Sequence, residues 1–160
     1  MVMIDLETER RIQRLHNRYI RMIDDDQLER WPELFLPDGD YLITTRENHD
    51  RGFPLALMSC KGRGMMQDRI SGLRKINVYE PHRYSHQISG LEITAVGDGT
   101  FHCVSNFLTV RIMHTGASML FATGIYQDVV QPDQDGQWRF VSRKVITDSR
   151  QTDTLLVIPL

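Results

Sequence analysis

The chain has 160 residues, 41% of them hydrophobic, with 19 basic against 21 acidic side chains and a formal net charge of −2. That length fits one domain, expected over residues 1–160, with interior enough to need neither metal nor disulfide, and the near balance of charge, without a Lys/Arg run or an aromatic stacking platform, weighs against nucleic acid or an anionic membrane as partner. Short apolar runs broken by charges argue against a spanning helix or a secretory leader, and two cysteines, Cys60 and Cys103, imply no disulfide framework and a reducing cytoplasm as the simplest home.

Ile12, Leu15, Tyr19, Met22 and Ile23 recur at three- and four-residue steps, which predicts an amphipathic helix over residues 6–24. Asp24-Asp25-Asp26 closes it. Asp26 is expected to N-cap a short second helix with Trp31, Leu34 and Phe35 on its apolar edge, stopped by Pro37 and Gly39 before the first strand, which carries Tyr41. A further half-buried helix is expected over residues 64–77, where Met65, Met66, Arg69, Ile70, Leu73 and Ile76 mix an apolar stripe with charges.

Turn signals at Gly97-Asp98-Gly99, His114-Thr115-Gly116 and residues 132–136 divide the second half into runs of Val, Ile, Phe, Thr and Tyr far longer than a usual strand. They predict a twisted antiparallel meander that curls around the helices. Along residues 101–114, Val104, Leu108, Val110 and Ile112 are apolar at even positions, yet Phe101, Cys103, Phe107 and Met113 are apolar on the other face; residues 119–130 repeat this double pattern. A sheet with one face in water should alternate cleanly. Its outer face is therefore expected to be covered by another subunit.

Ligand sets for chemistry are mostly missing from the spacing. A Rieske cluster needs two Cys and two His in close pairs, which Cys60 and Cys103 do not supply. Gly62-Arg63-Gly64 lacks the rest of a phosphate loop. No two-His, one-carboxylate spacing for non-haem iron occurs, and His82 and His86, four apart on an expected strand, are too far separated to share a metal. No cofactor or metal site is expected. One constellation remains: Tyr19 and Asp24 near the first helix, Tyr41 on the first strand, and His86 within Tyr84-Ser85-His86 could meet inside the cone. A His beside a carboxylate and a phenol can move protons at a carbonyl or hydroxyl compound near neutral pH. The bland account of the same residues is a satisfied core histidine, a packed tyrosine and a capping aspartate.

Residues 24–41, Met66-Gln67-Asp68-Arg69-Ile70-Ser71-Gly72-Leu73-Arg74, His82-Arg83-Tyr84-Ser85-His86, Val110-Arg111-Ile112-Met113-His114-Thr115-Gly116 and the tail 148–160 together resemble the small (beta) subunit of aromatic-ring-hydroxylating dioxygenases. Asn48-His49-Asp50-Arg51-Gly52, Tyr79-Glu80-Pro81-His82-Arg83-Tyr84, Gly124-Ile125-Tyr126-Gln127-Asp128 and Asp153-Thr154-Leu155-Leu156-Val157-Ile158-Pro159-Leu160 are most similar to its terephthalate and anthranilate dioxygenase and salicylate hydroxylase branch. The resemblance implies an α+β, NTF2-like (cystatin-like) cone, assembled as a homotrimer within an alpha3beta3 complex. It further implies that the large (alpha) subunit carries the Rieske [2Fe-2S] cluster and the mononuclear Fe(II), while this chain stabilises the assembly and has no catalytic residue of its own. The loop 46–55 and Arg51, Arg69, Arg83 and Arg111 are expected subunit contacts.

The competing expectation is a stand-alone dehydratase or isomerase on the same fold, with His86 as base, Asp24 orienting it, and Tyr19 with Tyr41 polarising a carbonyl. A third is a binding module lined by Met22, Met58, Met65, Met66, Met113 and Met119.

Overall fold

The computed structural model describes residues 4–76, 79–149 and 156–160. Helix α1 spans Leu6–Asp24; Asp5 caps it by accepting hydrogen bonds from the Thr8 N–H at 2.9 Å and the Thr8 hydroxyl at 2.7 Å. Glu7 and Glu9 in the first turn and Arg21 in the last complement the helix dipole. Its buried stripe is the expected one with His16 added. The chain then turns through Asp26, whose φ of +55° is left-handed. Asp26 is thus a turn residue and not the expected N-cap. Its carboxylate pairs with Arg74 at 3.0 Å, and the second helix shrinks to a single 3-10 turn, Trp31–Leu34, with Pro32 at its start.

Strand β1 (Phe35–Thr45) leads into a short helix α2 (Arg46–Asp50), an edge strand β2 (Met58–Lys61) and helix α3 (Gly62–Lys75). The expected end of α3 at Asn77 lies outside the described residues. Met66, Ile70 and Leu73 turn inward, while Met65 and Ile76, expected on the same stripe, stand at the surface. Met65 is one step round the helix from Met66, and Ile76 is already the C-cap. With Met65 and Met119 exposed, the methionines do not line one chamber.

Strands β3 (His82–Gly97), β4 (Thr100–Met113) and β5 (Ser118–Pro132) run 16, 14 and 15 residues, and β6 (Trp138–Thr147) completes the sheet. The strand order is β2-β1-β6-β5-β4-β3. The last four form the expected antiparallel meander, but β1 joins β6 in parallel, so the sheet is mixed. The two helices between β1 and β3, and the crossover they require, make the parallel pairing. Helix α1 lies across β3 and β6, and α3 lies against β1 and β2. The core sits between them and the concave face.

On β4 the inward residues are Cys103, Ser105, Phe107 and Thr109; outward, Val104 is exposed and Leu108, Val110 and Ile112 are half-buried. The second apolar face is therefore real. Curvature is set by bulges, where register shifts fall between Ser89 and Glu92, Thr109 and Val110, and Val129 and Val130. At Gly124 a Cβ would lie 1.9 Å from the Ile146 carbonyl oxygen, so the close approach of β5 to β6 requires glycine there. Gly124→Ala is expected to destabilise the chain by about 3 kcal/mol. Gly72→Ala, where nothing lies within 4 Å, should stabilise α3 by about 0.5–1 kcal/mol. Thermal unfolding of the two variants checks both signs.

Candidate functional site

The inside of the cone holds three polar groupings. In the first, Asp24 at the end of α1 meets His86 on β3. The His86 Nδ1 lies 2.6 Å from Asp24 Oδ1, and the His86 N–H donates to Asp24 Oδ2 at 2.9 Å. A carboxylate only accepts, so Nδ1 carries the proton and the aspartate fixes the ring. The His86 side chain is fully buried and its Nε2 has no partner among the described residues. The Asp24 bond to the strand backbone also ties α1 to β3, which is a structural duty in itself.

Tyr19 and Tyr41 form the second grouping. Their hydroxyls lie 3.2 Å apart, and both donate to the main-chain oxygen of Leu160, Tyr41 at 2.8 Å. Tyr41 also accepts from the Leu160 N–H at 2.9 Å. Leu156, Val157, Ile158 and Leu160 are all buried, and Arg69 holds the near end of this strap by donating to the Leu156 oxygen at 2.5 Å. The tail therefore occupies the space where a substrate would have to approach the two phenols. Burial pushes the Tyr19 hydroxyl up to about 12 and that of Tyr41 well above its ordinary value, so both stay protonated donors. Of the four residues expected to meet, the structure joins Asp24 to His86 and Tyr19 to Tyr41. The phenols are spent on Leu160. The motif residues 153–155 lie outside the described residues.

The third grouping was not singled out from the sequence. Arg143 on β6 donates through Nε and Nη2 to Asp128 on β5, at 2.8 and 2.7 Å, and through Nη2 to His16 Nδ1 on α1 at 3.0 Å. Both charged side chains are fully buried. The guanidinium carbon lies 4.0, 4.1 and 4.3 Å from the ring centroids of Tyr19, Tyr126 and Phe140. Burial pushes the Asp128 carboxyl up against the pull of Arg143, and burial followed by Arg143 holds His16 well below its usual range. Simple alternation hides this site. Ser142 pairs with Val129 and Phe140 with Val130, which leaves Val141 unmatched, so Phe140 and Arg143, three apart, both turn inward. Asp128 was visible as a charge in register with the inward Tyr126 and Val130.

No group of three His, Cys, Asp or Glu among the described residues could hold a metal ion. Cys60 on β2 and Cys103 on β4 have three strands between them, and burial pushes both thiols up, Cys103 to about 12. That donor set does not fit an iron–sulfur cluster, which binds thiolates. Among the expected contact arginines, Arg69 clamps the tail, Arg83 reaches the Asp24 carbonyl at 3.4 Å, Arg111 lies 4.5 Å above the Phe121 ring, and Arg51 pairs with Glu47 at 3.2 Å.

Similarity to known proteins follows the whole chain. The SnoaL-like domain matches residues 5–144. The anthranilate 1,2-dioxygenase small subunit of Burkholderia cepacia is 40% identical over 156 residues, covering 98% of this chain and 96% of that protein. The subunit beta 2 of the terminal oxygenase component of terephthalate 1,2-dioxygenase from a Comamonas species is 42% identical over 143 residues, 89% of this chain and 92% of that one. Among solved structures, the beta subunit of a candidate aromatic-ring-hydroxylating dioxygenase from Novosphingobium aromaticivorans superposes with a TM-score of 0.85 at 34% identity, over 93% of this chain and 94% of that one.

The buried groups carry two predictions. His16 accepts from Arg143 only when neutral, and its folded pKa lies below its unfolded value near 6.5. The unfolded chain then binds more protons in that window, so this stability is present above about pH 6.5 and is lost as pH falls, by up to about 1.4 kcal/mol per pH unit. His16→Gln should flatten that slope in urea unfolding measured between pH 7 and 5. Asp128→Asn, which strands a buried guanidinium, should cost about 3–5 kcal/mol in the same measurement at pH 7.

Proposed function

The chain belongs to the small subunits of aromatic-ring-hydroxylating dioxygenases, within the SnoaL-like domains, and on that premise we propose that it is a non-catalytic building block, one domain over residues 1–160, that forms a homotrimer beneath three large subunits in an alpha3beta3 oxygenase. The large subunit carries the Rieske [2Fe-2S] cluster and the mononuclear Fe(II), which fits a chain whose own thiols are buried and far apart. The complex works in the cytoplasm on an aromatic acid, since the relatives act on anthranilate and terephthalate.

One observation carries the reading: the tail of the chain occupies the cone, with Leu160 bonded to both Tyr19 and Tyr41. A dehydratase or isomerase would need those phenols for its substrate. In this reading Asp24 and His86 hold α1 on β3, Arg69 serves the tail, and no residue of this chain is catalytic. The outer sheet face, with Val104, Leu108, Val110 and Ile112, supplies the contact between copies, as its apolar character favours.

Coexpression with the large subunit tests this. A tag on the small chain is expected to retrieve the large one, and light scattering should give the mass of three copies of each. Val104→Asp should lower the affinity between copies by about tenfold or more while leaving unfolding of the lone chain within about 0.5 kcal/mol. A stable monomer that ignores the large subunit, or one that turns over an organic compound unaided, contradicts the proposal.

A further inference from the structure

The outward side of α1 carries a charge pattern that the interior does not use. It holds Arg10, Arg11, Arg14, Arg18 and Arg21, all exposed, five arginines on a 19-residue helix in a chain whose net charge is −2. Arg10 and Arg11 stand four and three residues before Arg14, Arg14 four before Arg18, and Arg18 three before Arg21, the spacings at which helical side chains are neighbours. Like charges so placed weaken a helix. Glu7 offsets Arg11 at 2.7 Å, but Arg14 and Arg18 have no hydrogen bond or ion pair among the described residues. Neither packing nor pairing accounts for them.

Arg11, Arg14 and Arg18 face the turn between β5 and β6. With Gln137 and Trp138 of that turn they line an open groove of about 330 Å³, in which Glu7 supplies the one carboxylate. Trp138 is half-buried and packs on Phe101 with 5.4 Å between ring centroids, so one side of the groove is a fixed aromatic wall. Glu7 shows what the groove favours. The hydrogen bond from Arg11, and then the charges of Arg11, Arg14 and Arg10, hold its carboxyl below its ordinary range. A carboxylate is stabilised here, and two of the guanidiniums that do so still have every donor unspent.

We propose that this groove is a docking site for an acidic segment of a partner protein, a stretch with at least two carboxylates that Arg14 and Arg18 grip beside the Trp138 wall. Guanidinium forks suit carboxylates, which accept two parallel N–H bonds from each. From Arg11 to Arg18 the helix rises about 10 Å, the reach of about three residues of extended chain or two turns of helix. The occupant is therefore short. A long polyanion such as RNA fits worse, because its closely spaced phosphates need a continuous basic track, whereas Asp5 and Glu9 at the start of α1 and Asp135 in the facing turn bound this patch with negative charge. The inference does not rest on the trimer or on the large subunit, and the isolated full chain suffices to test it.

Fluorescence anisotropy of a labelled hexaglutamate peptide, with labelled hexaglutamine and hexauridylate as controls, reads the site. At about 50 mM salt the unaltered chain is expected to bind hexaglutamate about tenfold more tightly than hexaglutamine, and about 300 mM salt should remove most of that difference. The double variant Arg14→Gln/Arg18→Gln should bind hexaglutamate about fivefold or more weakly. Arg30→Gln/Arg51→Gln, which removes the same charge elsewhere, should change binding by less than about twofold. Since Arg14→Gln/Arg18→Gln relieves like-charge neighbours, its thermal unfolding temperature is expected to hold or rise, which separates lost docking from lost fold. Equal binding of hexaglutamine, equal loss in the two double variants, or tighter binding of hexauridylate overturns the proposal. A lowered unfolding temperature of Arg14→Gln/Arg18→Gln, which would make these arginines structural, overturns it as well.

Discussion

A buried cation holds this fold together. Arg143 joins the sheet to α1 through Asp128 and His16, and three aromatic rings close over it. Taking two charges out of water is costly, and an apolar filling of equal volume is often as stable. What the ion pair adds is orientation. The guanidinium fork accepts one placement of Asp128 and one of His16, so α1 crosses β6 in one register. From that register follow the position of Tyr19, its meeting with Tyr41, and the slot into which the tail fits. The same arrangement requires a neutral His16, which links the shape of the cone to pH.

The interior is thus organised by polar contacts and then filled by the protein itself. Asp24 is divided between the ring and the backbone of His86, and the two phenols are divided over Leu160. These are the side chains from which a proton-transfer site would be made. In a member of the dioxygenase small-subunit family they bind helix to strand and tail to sheet. In the proposed assembly, a cone pinned in this way would serve as a platform for the larger subunit.

Much of this architecture was legible in the chain. The stripe from Ile12 to Ile23 predicted α1, since a 3.6-residue period held over about three turns has few alternatives. The over-apolar runs of β4 and β5 predicted a sheet with two greasy faces, and the family motifs predicted the cone. Other features were hidden for physical reasons. The parallel pairing of β1 with β6 depends on a contact between residues a hundred apart, which no local pattern encodes. Asp26 reads as a cap because caps and left-handed turns favour the same residue type. Arg143 was masked by the unmatched Val141, which reverses the in–out alternation between Phe140 and Ser142. The pairings Asp24 with His86 and Tyr19 with Tyr41 were foreseen as neighbours, but the occupant of their space was not, because an apolar tail such as Val157-Ile158-Pro159-Leu160 reads equally as an edge strand.

What most directly tests the proposed function is whether the polar groups inside this cone do any chemistry. Steady-state turnover of an aromatic acid by the assembled oxygenase, with the small subunit carrying His86→Gln and, separately, Tyr19→Phe, measures it. Turnover per assembled complex is expected to stay within about twofold of the unaltered enzyme. A fall of about a hundredfold or more with the assembly intact would place a general acid or base in this chain and contradict the account.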